Sequence, residues 1–207
     1  MTKDTLKHLR NITPGIIITV YFAVLGQITG LWNFPVPNLA DIEKAPIPII
    51  IGFLYYVSPL RDRINSAHHK YVIELLRSKL VDISGLPDNR NLYPWNLVKS
   101  IFYNLIDNDK SLTIIAGSAY DNGYIWTTFA DLTVLSLGFS FVCVVMFYFD
   151  VNSAMIAFVT FLLWSLVCHF GSIVTTKKQV AIGDQQLAVI KTLYADKVRE
   201  FFDGLTK

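Results

Sequence analysis

Cysteine is almost absent: the chain has two in 207 residues, Cys143 and Cys168. Each lies inside a long apolar run, and their depths below the turn joining those runs differ by roughly 13 Å at 1.5 Å per helical residue. A disulfide needs Cα atoms within about 7 Å, so a cross-linked scaffold is excluded and both side chains read as unpaired apolar residues. Charge is scarce as well, at 16% of residues with a net charge of +2. That balance gives no electrostatic footprint for nucleic acid, and no direct nucleic-acid binding is expected. Catalytic signatures are missing too. There is no phosphate-binding glycine loop, nucleophile elbow, HExxH or CxxC. His68 and His69 are helix neighbours that cannot share a face, and Glu74, the nearest carboxylate, lies off both. Asp107 and Asp109 fall in a turn without a defined partner, where carboxylates are usually surface groups. The sequence therefore predicts no enzyme, no metal and no cofactor.

What the chain does have is apolar residues gathered into blocks, 53% of the total, with the charges confined to other stretches. Such segregation marks a membrane protein. Leu132 to Phe149 carries no charge, and Ser153 to Val174 has His169 as its one titratable polar group; Asp150-Val151-Asn152 joins them. Both runs approach the ~20 residues a helix needs to cross the hydrocarbon core, and so short a link makes them antiparallel neighbours. Ile16 to Trp32 is a third run, too long for a signal-peptide core and followed by no small-residue cleavage site. Ala45 to Leu60 is a shorter fourth, with Pro46 and Pro48 in its first turn. It spans by thinning the bilayer or borrowing flanking residues, or else it re-enters.

Basic residues decide the topology. With four spans and the N-terminus inside, every Lys and Arg except Lys44 falls on the cytosolic side. Without the second span, the basic stretch from Arg61 to Lys110 would be placed outside, against the positive-inside bias. The expected fold is thus an all-α membrane protein with four transmembrane helices, a mainly helical cytosolic insertion between spans two and three, and a C-terminal cytosolic helix. The boundaries are 1–13 cytosolic, 14–33 first span, 34–44 periplasmic loop, 45–60 second span and 61–127 cytosolic region. There follow 128–149 third span, 150–152 periplasmic turn, 153–174 fourth span and 175–207 cytosolic C-terminal region.

Within the insertion, Ile64, Ala67, Tyr71, Leu75 and Ile83 recur at helical spacing, leaving Arg63, Lys70, Arg77 and Lys79 for the wet side. Ser84 to Asn89 stops that helix. Pro94 opens another, to Ile106, with Trp95, Val98, Phe102 and Leu105 on its apolar stripe. For residues 112–126, Asp121-Asn122-Gly123 between apolar triplets signals a β-hairpin, in competition with a helix broken at Gly117. Asp184 can cap a final helix from Gln185 to about Asp203, stopped by Gly204, with Leu187, Ile190, Tyr194, Val198 and Phe201 on one face.

Three sets of residues are functional candidates. Asp131 and His169 lie at nearly equal depth, about 3 Å apart along the helix axes, and form a candidate intramembrane polar pair sensitive to pH or potential. The competing reading makes Asp131 a helix cap and leaves His169 among headgroups. Tyr93, Trp95, Phe102, Tyr103, Phe201 and Phe202 form a candidate partner-docking surface, aromatic side chains being common interface anchors, or else a core of the chain itself. Gly26, Gly30 and Gly138, with Gly52, Ala154 and Ala157, are candidates for close helix packing and for a homo-oligomer, a tetramer being favoured.

The four-span layout with both termini inside, the insertion from Arg61 to Thr127, the helix from Gln185 to Asp203 and the opening Asn11-Ile12-Thr13-Pro14-Gly15 resemble the membrane subunit of the Kiwa antiphage defence system of bacteria. The resemblance implies a non-enzymatic, homo-oligomeric subunit of the bacterial inner membrane, in contact with membrane lipids. Such a subunit senses infection at the envelope and scaffolds a cytosolic DNA-binding effector protein. It carries over no catalytic residue. The alternative is an oligomeric pore-forming effector that conducts ions and depolarises the cell. Pores show polar residues at regular spacing along a span, and here Ser136 and Ser140 make only a short stripe.

Overall fold

The computed structural model describes residues 3–32, 50, 53–55 and 57–205. Among them helix is the one regular secondary structure: α1 (Lys3–Thr29), α2 (Pro59–Ser84), α3 (Trp95–Asn108), α4 (Lys110–Tyr148), α5 (Ala154–Leu193) and α6 (Ala195–Leu205). Among the described residues three helices are long and apolar enough to cross a membrane: α1 over His8–Thr29, α4 and α5. They mark a membrane-embedded protein. Half of the expected second span, 45–60, falls outside the described residues. The chain divides into two compact units, the first made of Met1–Asn65 and Tyr124–Val174, the second of Ser66–Gly123 and Thr175–Lys207.

The first unit is built where α1, α4 and α5 present inward stripes. Ile17, Tyr21 and Leu25 recur every fourth residue on α1 and are buried with Cys143, Ala154, Ala157 and Phe161. Ala154 and Ala157 are fully buried. Their small side chains let backbones approach closely, which matters in lipid, where association depends on packing more than on expelling water. Tyr21, Phe139 and Phe161 meet pairwise with centroids 5.1–5.4 Å apart. The α4–α5 turn closes through Asp150 at φ 65, with the Val151 N–H returning to the Met146 carbonyl at 3.1 Å. That is a helix-ending motif which satisfies carbonyls otherwise left orphaned. Pro14, expected to open the first helix, lies inside α1 instead.

The second unit has its own core: Leu80, Val81 and Ile83 of α2, Tyr93, five α3 residues including Val98 and Leu105, Leu112 and Ala116 of α4, Leu187 and Ile190 of α5, and Val198 and Phe202 of α6. The α3 and C-terminal stripes read from the sequence face this core. Of the expected α2 stripe Ile83 faces it and Tyr71, 58% exposed, does not, whereas Arg77, expected on the wet side, is 2% exposed. Its guanidinium is buried with its charge matched. It donates to Glu74 Oε1 at 2.7 and 2.9 Å and to the Tyr93 carbonyl at 3.4 Å, and it pairs with Asp88 at 2.7 Å. Burial works against the Arg77 charge, yet the bonds to Glu74 and Asp88 outweigh it and raise its pKa. Arg77 also holds Asp88 below its ordinary value.

Three local expectations are corrected. Residues 112–126 form neither a hairpin nor a broken helix; they belong to the uninterrupted 39-residue α4. An interior glycine costs a helix about 1 kcal/mol, and burial of Leu112, Ala116, Asn122 and Trp126 offsets Gly117 and Gly123. Asp184 caps nothing, because α5 passes through it; its carboxylate pairs with Lys79 Nζ at 2.5 Å. The break that begins the last helix falls ten residues later, at Tyr194. Gly204 does not stop that helix, which runs to Leu205.

Candidate intramembrane site

Three phenols make polar side-chain contacts in the first unit. Thr13 and Ser136 each donate a hydroxyl hydrogen to their own helix, to Leu9 O at 2.8 Å and Leu132 O at 2.6 Å. Each hydroxyl has one hydrogen, so in the tyrosine contacts that follow the phenol is the donor. Tyr124 Oη donates to Thr13 Oγ1 at 2.9 Å, and Tyr21 Oη donates to Ser136 Oγ at 2.8 Å. The first joins α4 to α1, and the second joins α1 to α4.

The third phenol carries the chemistry. Tyr55, 9% exposed, donates to Asp131 Oδ1 at 3.1 Å, and Asp131 itself is 1% exposed. Asp131 sits on α4 beside the buried Ala130, one turn and a half before Ser136. A carboxylate inside an apolar span is costly unless paired, and a hydrogen bond to its charged form stabilises that form. The phenol thus gives the buried acid a polar neighbour at this depth.

The partner expected for Asp131 is corrected. His169 is exposed, whereas the buried seam of α5 runs through Phe161, Ser165, Cys168 and Ser172. One residue beyond Cys168 is a rotation of about 100°, which turns the imidazole out of that seam. Equal depth put the two residues at one level, and rotation about the helix axis separated them. Tyr55 carried a weaker signal in the sequence, a phenol in an apolar run, which needs a partner when buried.

The glycines are also reassigned. Gly26 makes room for the chain's own Trp32, whose indole would clash with an added Cβ; the indole stacks on Phe22 at 4.6 Å and donates to the Phe22 carbonyl at 3.1 Å. Gly30 ends α1 at φ 70, a conformation glycine adopts without strain. Around Gly138 no described heavy atom lies within 4 Å of the Cβ position. The close approach between spans is at Gly171, where Phe129 Cε1 would meet a Cβ at 2.6 Å. Of the aromatic docking set, Tyr93, Phe102 and Phe202 are core residues of the second unit, and Trp95 and Phe201 pack partly buried against them. Tyr103 is 46% exposed. Most of these rings therefore stabilise the chain itself, as their apolar periodicity allowed.

Both cysteines are free and buried. Among the described residues no group of three or more His, Cys, Asp or Glu side chains converges on a metal position. Comparison with protein-family models, with curated proteins and with solved structures finds no match to this chain.

Proposed function

We propose that the chain is a non-enzymatic, multispanning inner-membrane subunit of a bacterial antiphage defence system, which senses infection at the envelope and scaffolds a cytosolic effector. The observation that carries this reading is the Tyr55–Asp131 contact, an ionisable group buried inside an apolar helix and accepting from a buried phenol. A change in membrane potential or local proton activity acts directly on such a group, since moving one charge through 100 mV is worth about 2.3 kcal/mol. In this reading residues 45–60 complete four spans, both termini are cytosolic, and the chains assemble as a homo-oligomer, most simply a tetramer. The second unit, with its own core, is the platform for a DNA-binding partner protein. Favouring the scaffold over the pore alternative, Ser136 and Ser140 are buried within one chain, and Ser136 is engaged by Tyr21.

The test is a phage-plating assay in cells carrying this chain and the product of its neighbouring gene. Asp131→Asn and Tyr55→Phe are each expected to abolish protection while leaving membrane levels of the protein unchanged. Full protection by both variants would remove the contact from the mechanism. Lack of protection by the parent pair would overturn the defence reading. A monomeric mass in mild detergent across a concentration series would overturn the oligomer.

A further inference from the structure

We propose that a cleft on the second unit, between α2, the loop of residues 85–93 and the start of α3, is a nucleotide-binding site. Its volume is about 460 Å³, within the range of small-molecule sites. Lys70 and Glu74 come from α2, Arg90 and Asn91 from the loop, and Trp95 and Asn96 from the first turn of α3.

The charges in and behind the cleft leave a cation uncommitted. Glu74 Oε1 is taken by Arg77 at 2.7 Å, its Oε2 by Arg90 Nε at 3.4 Å, and Asp88 by Arg77 at 2.7 Å. Two arginines and two acids cancel. Lys70, exposed and without an acidic partner among the described residues, adds a positive charge to the rim. Arg90 is 72% exposed and its contact with Glu74 is long, so its guanidinium is free to turn toward an incoming anion. Phosphate suits such a pair, arginine binding it through a planar fork and lysine as a point charge.

The remaining walls select what the phosphate is attached to. The Trp95 indole is half-buried and braced by Phe102 at 5.8 Å and Tyr103 at 6.3 Å, which gives a fixed aromatic surface. Such a ring offers a face on which a base stacks, as in single-strand binding proteins. Asn91 and Asn96 are exposed and offer amide donors and acceptors to the edge of a base. An anion, a planar ring and a polar ring edge together describe a nucleotide, and the small volume favours it over a peptide segment.

The test is equilibrium dialysis of the full chain in detergent against ATP, GTP, CTP and UTP, with inorganic phosphate and polyglutamate as competitors. Saturable binding of at least one nucleotide, one per chain, is expected. Lys70→Glu at its exposed position should weaken it about tenfold or more, the value of one charge-assisted hydrogen bond. Trp95→Leu should weaken it similarly and Trp95→Phe should retain most of it. Because Trp95→Leu also touches the core, Lys70→Glu is the deciding variant. No saturable binding, or binding unchanged in Lys70→Glu, would overturn the assignment. Equal displacement by inorganic phosphate would reduce the cleft to an anion site, and displacement by polyglutamate would make it a peptide site; either overturns the nucleotide.

Discussion

A single carboxylate, Asp109, closes two helix junctions. Its Oδ1 accepts the Leu112 N–H at 2.8 Å, in the first turn of α4, and its Oδ2 accepts the Tyr194 hydroxyl at 2.8 Å, where α5 gives way to α6. The Leu112 N–H first, and then Tyr194, hold Asp109 below its ordinary value of 3.8. The same contact pushes the Tyr194 hydroxyl up. A carboxyl depressed in the folded state adds stability above its unfolded pKa and loses it as pH falls through the folded one. Melting temperatures should therefore decline below about pH 4. Asp109→Asn, which still caps a helix but does not titrate, should flatten that decline; an identical acid limb in the variant would sink the assignment. Two glycines give a second residue-scale contrast. Gly171→Val must displace Phe129 and should destabilise the first unit by about 1–3 kcal/mol, whereas Gly138→Ala enters open space and should be neutral or stabilising. Thermal melts in one detergent compare them directly.

Elements with a regular apolar period were legible in advance. The runs within α1, α4 and α5, the stripe of α3 and the face including Leu187, Ile190 and Val198 each follow from spacing alone. Helix length was not legible where local signals opposed it. Asn122-Gly123 reads as a turn, yet Asn122 is 2% exposed and its Nδ2 donates to Thr175 O at 3.0 Å and Gln179 Oε1 at 2.7 Å, so its partners are 53 and 57 residues away. Arg77 was misplaced for a similar reason, since Asp88 beyond the helix end makes its burial tolerable. The Asp131 site was half-visible: the acid stood out, but its phenol depended on which faces turn inward. Asn122→Ala should leave Gln179 without this donor and cost about 1–3 kcal/mol. Faster amide exchange around residues 119–125 and 175–179 is the expected signature, and unchanged exchange would show that this bond contributes nothing to the α4–α5 pairing.

At the scale of the whole chain, reporter fusions after residues 2, 109 and 207 should all report the cytosol under the proposed topology. A reporter at residue 151 should give the opposite result. Opposite signals at the first and last sites would leave three crossings, with 45–60 outside the count. The second unit also has an unusual order of synthesis. Its core draws Leu80, Val98, Leu105 and Leu112 from one segment and Leu187, Ile190, Val198 and Phe202 from another, with the apolar stretch Tyr124–Val174 translated in between. While the ribosome makes that stretch, the first half of the core exists without the residues that cover it. Completion of this unit therefore waits until Leu187 to Phe202 have been made, and a nascent chain stalled before Leu187 would offer chaperones and proteases a hydrophobic surface that the folded unit conceals.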